Sequence, residues 1–450
     1  MFNSNVDSSQ PVAETAPHER PASASAWYGL AILVLVAFFA FVDRQIIILL
    51  TEPIRHDFAL SDTQIGLLQG VGVALFAGVA SLPLGWVADR VDRRLVLAAC
   101  ILVWSGATAM CGMATSFPQL LAATIGLGIG EAGLVPVIYG LIPDLFPQRQ
   151  RVLANSIFAV ANLIGNGAGM ALGGALMHLI DAMHGSLPPA FALMAPWRLA
   201  FIAVALPAPL VALMMGLIRL RRGRIGPAEA VHSHHAALKA RDYFRDEAGT
   251  MIKFFGAIGL VNLGFVGVVS WVPVIVVRNF GATPAAAGGG MGAAAIAGSL
   301  AGCLIGGVAV RQLRRRYGLL APLRVCEFGI AAAAALAVLL LLAQTPNQIY
   351  AIVAVQVAAI VAGTVLFPTI MQDISPAHLR SRVAAIGVLV SVVVQSCSPV
   401  LIGLFSDHLS GVANGLLIAV VVMANIGFLL ATALMYASER AVRRAVECYA

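Results

Sequence analysis

"GWVADRVDRR" (Gly85–Arg94) and "GGVAVRQLRR" (Gly306–Arg315) align without a gap on Gly, Val, Ala, Arg and a closing Arg pair. Each follows an apolar run long enough to cross a bilayer. A second pair of loops repeats in the same way: Asp144, Pro147 and Arg151 carry the spacing D-x-x-P-x-x-x-R, and Asp373, Pro376 and Arg380 carry it again. The matched residues are charged or helix-breaking, so shared hydrophobicity does not produce the match. Two copies of one six-helix unit do.

Working outward from these loops, hydrophobic residues make up 60% of the 450 and charged residues 11%, with a mean hydropathy of +0.91. That balance excludes a soluble globular domain and predicts an integral membrane protein. Cutting the chain into apolar stretches of about 20 residues predicts twelve spans, at about 27–50, 63–88, 95–113, 118–142, 152–178, 197–218, 251–277, 286–310, 320–343, 348–372, 383–405 and 412–437. The expected fold is all-α, with twelve transmembrane helices in two pseudo-symmetric six-helix bundles. Residues 1–26 read as a disordered N-tail, 27–218 as the first bundle, 219–250 as a linker, 251–437 as the second bundle and 438–450 as a C-tail. The first span is about twice a signal-peptide core and has no small-residue cleavage site after it, so it is expected to be retained.

The net charge is +7, and its placement matters more than its size. With the N-terminus inside, the cytoplasmic segments collect Arg90, Arg93 and Arg94, the run Arg219 to Arg224, Arg311 to Arg316, and Arg440 to Arg444, whereas the outer loops keep Arg55 and Arg278. This asymmetry predicts cytoplasmic termini in a plasma (inner) membrane and argues against nucleic-acid binding. The arginine-rich, alanine-rich composition suggests a bacterial source. Six scattered cysteines, Cys100, Cys111, Cys303, Cys326, Cys397 and Cys448, read as small hydrophobes and not as a disulfide framework.

"GWVADRVDRR" resembles the G-x-L-a-D-r-x-G-r-r signature of the major facilitator superfamily, with Val87 and Asp92 as departures. Through "FVDRQ", "LSDTQIGLL", "LPLGWVADR" and "GIGEAGLVPVIYGLIPDLFP" the chain further resembles the Spinster branch. The resemblance implies a transporter of lysophospholipids or sphingosine-1-phosphate-like lipids, and it implies that the Arg of "VDRQ" and the Glu of "GIGEA", here Arg44 and Glu131, bind substrate and proton. It also implies that Asp89, helped by Arg90, Arg93, Asp144 and Arg151, closes the cytoplasmic side.

The residues themselves point the same way. A charge at membrane depth costs at least about 2.5–3.5 kcal/mol, so Arg44 needs an anion and a wet or protein-lined face. Asp43 lies about 100° round the helix, so the better partner is Glu131. A buried pair that only fixes two helices is the structural alternative. Tyr139, Asn162 and Asn166 are further candidates for the first wall of a cavity, and Asn262, Gln356, Thr364, Thr369, Ser391 and Gln395 for the second, with Trp271 as a cap. Arg324 and Glu327 are expected to pair on the ninth helix.

"GNGAGMALGG" (Gly165–Gly174) resembles a helix-5 antiporter pattern but has Met170 in place of its proline, and small residues at this spacing favour close helix packing. The literal G-x-G-x-x-G of Gly128, Gly130 and Gly133 follows no strand, so a dinucleotide site is rejected. His232, His234 and His235 read as a solvated loop and not a metal site, and no Walker motif points to ATP. No cofactor, metal or enzymatic activity is expected. The partners expected are a small-molecule or lipid substrate, protons and membrane lipids, with the chain acting as a monomer. A proton-linked exporter of small organic anions or drugs, a receptor on the same fold and a passive channel are the alternative classes.

Overall fold

A computed structural model describes residues 24–88, 90–186, 188–217, 245, 247–375 and 380–449. Eleven stretches among them are long and apolar enough to cross a membrane. One of these, Pro284–Leu342, has 59 residues. As a single helix it would run about 90 Å, three times the hydrocarbon thickness. It is two helices, Pro284–Tyr317 and Ala321–Leu339, folded back at Gly318, whose φ of 58° admits only glycine comfortably. The described residues therefore make twelve crossings.

In chain order these are α1 (Ala24–Leu49); α2, a composite of Asp62–Leu67, a π-helical stretch Leu68–Leu75 and Phe76–Ala88; α3 (Arg93–Met113); α4 (Phe117–Glu131, resumed as Leu134–Leu145); α5 (Gln148–Met183); and α6 (Pro196–Ala205 with Pro207–Gly216). The second six are α7 (Ala248–Phe280), α8 (Pro284–Tyr317), α9 (Ala321–Leu339), α10 (Pro346–Thr364 with Phe367–Asp373), α11 (Arg380–His408) and α12 (Gly415–Tyr449). A short helix, Thr51–Phe58, joins α1 to α2.

Local chemistry sets the ends. Ser61 and Gln64 form a reciprocal capping box at the start of α2. Asp92 caps α3 by accepting the Arg94 N–H, and prolines stand in the first turn of α4, α6, α8, α9 and α10, where a missing N–H costs nothing. Gly281 ends α7 in the left-handed region. The segment expected to be a C-tail instead continues α12 to Tyr449, because Glu439 on that helix is held by Arg324 at 2.6 Å and by Arg443 one turn on. Residues 219–244 and 246 of the central linker, with its three histidines, and the N-tail up to residue 23 lie outside the described residues, and the linker's last three residues already belong to α7.

Glycines set how closely the crossings approach. Along α5, a Cβ on Gly165 or Gly169 would strike Phe41 of α1, and one on Gly167 or Gly174 would strike the backbone of Gly292 or of Ala285 and Gly288 on α8. The "GNGAGMALGG" run thus packs α5 against α1 on one face and α8 on the other. The glycines of the G-x-G-x-x-G run in and just after the first part of α4 do similar work: Gly128 lies against Val73, Gly130 against Trp104 and Gly133 against Cys100.

Candidate functional site

Between the two sets of six helices lies a chamber of about 810 Å³. The α1 residues Phe41, Arg44, Gln45 and Ile48 face it together because they recur every three or four residues. The opposite wall comes from α7 and α11, where Phe265, Val266, Val269, Val388, Leu389 and Val392 are interrupted by Asn262, Ser270, Gln395 and Ser396.

Arg44 reaches across to Glu131. Its Nε donates to Glu131 Oε2 at 3.2 Å, and its Nη2 donates to the same oxygen. Glu131 is the last residue of the first part of α4, just before Ala132 and Gly133 break the helix. A broken helix at membrane depth exposes backbone polar groups, which is tolerated where it lines a cavity. The two partners differ in access: the Glu131 side chain is fully buried, whereas the Arg44 side chain is 50% exposed. Glu131 Oε1 has no hydrogen-bond partner among the described residues. The cation therefore retains donors that face the chamber, while the acid is reached through the cation.

Asp43 points elsewhere. It is buried on the α3 side of α1, where Thr108 donates to its Oδ2 at 2.6 Å, and it does not line the chamber. Gln45 donates to Asn166 of α5, which lines the chamber, and Asn162 donates to Phe158 O at 2.8 Å beside a smaller neighbouring recess. Tyr139 lies outside the chamber lining, half-exposed and edge-on to Phe158 at 5.4 Å. In the second half, Gln395 and Asn262 line the chamber, but Gln356 is turned away and donates to Ala333 O on α9. Thr364 lines neither cavity, and Trp271 is buried in the core instead of capping the chamber. Arg324 does bond Glu327, at 2.6 Å, and binds Glu439 of α12 as well.

Of the expected gating residues, Asp89 lies outside the described residues. Arg93 donates to Gly140 O at 2.9 Å and Asp144 Oδ2 at 3.0 Å, and Arg151 donates to Phe146 O and Pro143 O, all within the first six helices. Arg90 stacks on Trp86, 3.3 Å above the ring, at the chamber mouth.

The side-chain hydrogen bonds and ion pairs described between the two halves lie at the opposite end, which sequence reasoning missed. Arg278 of α7 donates to Glu52 (3.1 Å) and to both oxygens of Asp62 (2.8 and 3.0 Å). Asp407 of α11 accepts from the backbone N–H groups of Asp62 and Thr63, each at 2.9 Å, at the positive N-terminus of α2. Ser406 adds a hydrogen bond to Asp62. Below this cluster α2 and α11 touch backbone to backbone at Gly66 and Pro399, and at Gly70 and Ser396. The signal in the sequence was the pair of basic residues expected in outer loops, Arg278 and Arg55, the latter donating to Glu52 at 3.0 Å.

The sequence profile described as "Major Facilitator Superfamily" matches residues 33–399. This chain belongs to the major facilitator superfamily. Among solved structures, that of a bacterial homolog of the human lysosomal transporter Spinster, in an inward-facing and unoccupied conformation, superposes with a TM-score of 0.80 at 22% identity, covering 94% of this chain and 99% of that one. An MFS-type efflux pump of Mycolicibacterium smegmatis is 30% identical over 46% of this chain and 46% of its own length. The sphingosine-1-phosphate transporter SPNS2 of Xenopus tropicalis is 25% identical over 89% of this chain and 80% of its own length. Against several curated relatives, the efflux pump included, the matched stretch of this major facilitator protein spans less than half of the relative's length. These neighbours are transporters, not enzymes.

Proposed function

We propose that this major facilitator protein is a proton-coupled secondary transporter of an anionic amphipathic solute, such as a lysophospholipid or a sphingosine-1-phosphate-like lipid, working by alternating access. The observation that carries the reading is the Arg44–Glu131 pair: a half-exposed guanidinium held by a buried carboxylate, at the edge of a chamber whose far wall is mostly apolar. While Glu131 is ionised, it satisfies Arg44. Protonation of Glu131 removes that competitor, and an anionic headgroup takes its place on the guanidinium, so proton and substrate bind cooperatively through one cation. Similarity to SPNS2 and to the Spinster homolog supports the lipid class. The transporter is assigned as a monomer. The arginine-rich end, with Arg90, Arg93, Arg151 and Arg311 to Arg316, is assigned to the cytoplasm and the Arg278 cluster to the outer face, in a bacterial plasma membrane. Arg90, Arg93, Asp144, Arg151 and Asp89 are assigned to closing the cytoplasmic side when the outer side opens.

A second reading, proton-linked export of small organic anions, is favoured by the similarity to the efflux pump, to a probable L-galactonate transporter of Escherichia coli and to a probable sulfoacetate transporter of Cupriavidus necator. Uptake of labelled lysolipid into proteoliposomes, with and without an imposed pH gradient, separates the two. A receptor would bind without flux, and a channel would give flux that neither saturates nor counterflows. The expected result is saturable uptake that the gradient accelerates and that loses its pH dependence in Glu131→Gln. Transport by Glu131→Gln with the pH profile intact would refute the coupling.

A further inference from the structure

The second copy of the repeated loop keeps the arginines of the first and lacks its acids. Aligned without a gap, Asp89 and Asp92 of "GWVADRVDRR" fall on Val310 and Leu313 of "GGVAVRQLRR", while Arg93 and Arg94 fall on Arg314 and Arg315. In the first half those arginines are spent on their neighbours, Arg93 on Asp144 at 3.0 Å and Arg94 on Asp92 at 2.6 Å. At the end of α8, Arg314, Arg315 and Arg316 are all exposed. The turn that follows, Gly318–Leu320, packs on α12, which carries Arg440 and Arg443 at the same end. The two acids of this corner, Glu327 and Glu439, are each held by Arg324 at 2.6 Å, with Arg443 3.8 Å from Glu439. Arg314, Arg315, Arg316 and Arg440 have no acidic partner among the described residues.

Topology does not account for this. The bias of basic residues toward one side of a membrane counts paired and unpaired arginines alike, so it explains the arginines but not the missing acids. Aromatic rings mark the depth. Arg316 lies 5.5 Å from the Tyr317 ring, and Arg324 lies 5.5 Å from that ring and 5.8 Å from the Tyr436 ring, which places two tyrosines where such rings meet lipid headgroups. From there the α9–α12 seam runs into the hydrocarbon with an apolar, exposed face: Phe328, one turn along α9 from Arg324, is 53% exposed, and Leu429, two turns before Tyr436 on α12, is 57% exposed. We propose that this corner binds an anionic phospholipid, with its phosphate among Arg314, Arg315, Arg316 and Arg440 and its acyl chains along the α9–α12 seam. Four to eight basic residues at a membrane surface are the size of cluster that recruits acidic headgroups. The seam selects a lipid over a soluble polyanion, which has no chain to place there. None of these residues lines the chamber, so the site is independent of what the chamber carries.

The test uses full-length protein in phosphatidylcholine nanodiscs that contain a small share of phosphatidylglycerol or phosphatidylcholine with a nitroxide on the acyl chain. A fluorophore is attached at Leu319→Cys in the corner or at Leu95→Cys beside the first copy of the loop, both exposed positions, in a background with accessible native cysteines replaced. The readout is the ratio of quenching by labelled phosphatidylglycerol to quenching by labelled phosphatidylcholine. That ratio should be several-fold higher at Leu319→Cys than at Leu95→Cys, where the neighbouring arginines are spent. Arg315→Gln and Arg316→Gln should each lower it by up to about fivefold, with quenching by phosphatidylcholine unchanged, showing that the helices remain inserted. Raising the salt from about 0.15 M to about 1 M, which shortens the screening length from about 8 Å to about 3 Å, should lower it as well. Equal ratios at the two reporters would overturn the site, because a uniform surface potential would then explain the preference; that comparison needs no arginine variant to fold. A ratio at Leu319→Cys that survives Arg315→Gln and Arg316→Gln together would overturn it too.

Discussion

A single methyl group at the closed end should open this protein. A Cβ on Gly66 of α2 would lie 2.3 Å from Pro399 O of α11, and one on Gly403 of α11 would lie 2.2 Å from Asp62 O. Ordinary contacts of this kind begin near 3.4 Å, so Gly66→Ala or Gly403→Ala demands that the two helices part by about 1 Å. Both contact atoms are backbone, so no side chain can swing away to relieve the strain. Overpacking of this sort costs typically about 1–3 kcal/mol. The cost falls only on the conformation in which α2 and α11 touch, so it shifts the population toward the state open at that end. Taking about 2 kcal/mol gives roughly a 30-fold change in the equilibrium, enough to raise a state populated at about 1% to about a quarter of the molecules. Gly85 is the control, since a Cβ there meets nothing within 4 Å. The assay is pulsed electron spin resonance between labels at His56 and Ser410, one on each half at the closed end, in a background with accessible native cysteines replaced. Gly66→Ala and Gly403→Ala should each add a longer-distance population that Gly85→Ala lacks. Unchanged distance distributions in both variants would refute the argument that this seam holds the end shut.

Other expectations follow from the same contacts. Arg44→Ala leaves the buried Glu131 carboxylate without its cation and should lower thermal stability by several kcal/mol; adding Glu131→Gln should recover most of that stability in a melting experiment without restoring anion binding. Arg278→Gln removes the charge that ties Glu52 and Asp62 to α7 and should raise the labelling rate, by membrane-impermeant reagents added outside, of a cysteine introduced at Gln69 in the chamber lining. Asp92→Ala removes the α3 cap and should cost about 1 kcal/mol. The Arg94 side-chain hydrogen bond holds the Asp92 carboxyl below the usual carboxylate range, so the stability it contributes is present above that range and is lost as pH falls through its lowered value. A pH titration of the melting temperature, wild type against Asp92→Ala, checks the sign: the two curves should converge in acid.

Much of the fold was legible because membrane insertion leaves a coarse, loud signal. Apolar runs, arginine runs and the two repeated loops are all local in sequence, and the twelve crossings follow from them. Arg44 and Glu131 stood out because a charge inside an apolar run is rare, and the structure brings them together across a separation of 87 positions. The closing cluster was illegible. Glu52, Asp62, Arg278 and Asp407 are ordinary loop and helix-end charges, and their contacts join residues more than 200 positions apart. Facing was the other limit. Gln356 and Gln395 look alike in the sequence, but one bonds the preceding helix and the other lines the chamber, and a helix apolar all round does not say which side is which. Asp43 carries the same lesson within α1, where one residue step turned it from the chamber to Thr108. The recess beside the chamber was invisible for a related reason, since its valines and methionines read as core.

The α5–α8 seam, where Gly167 and Gly174 meet Gly288 and Gly292, gives the two halves a bearing made of bare main chain. A joint built from interlocked side chains must unpack and repack whenever its parts tilt, and each repacking adds a barrier. Smooth backbone surfaces can roll on one another with no rotamers to reset. The work of switching can then be concentrated where charges and close contacts latch the far end, so that the latch sets the pace and the hinge adds little friction of its own.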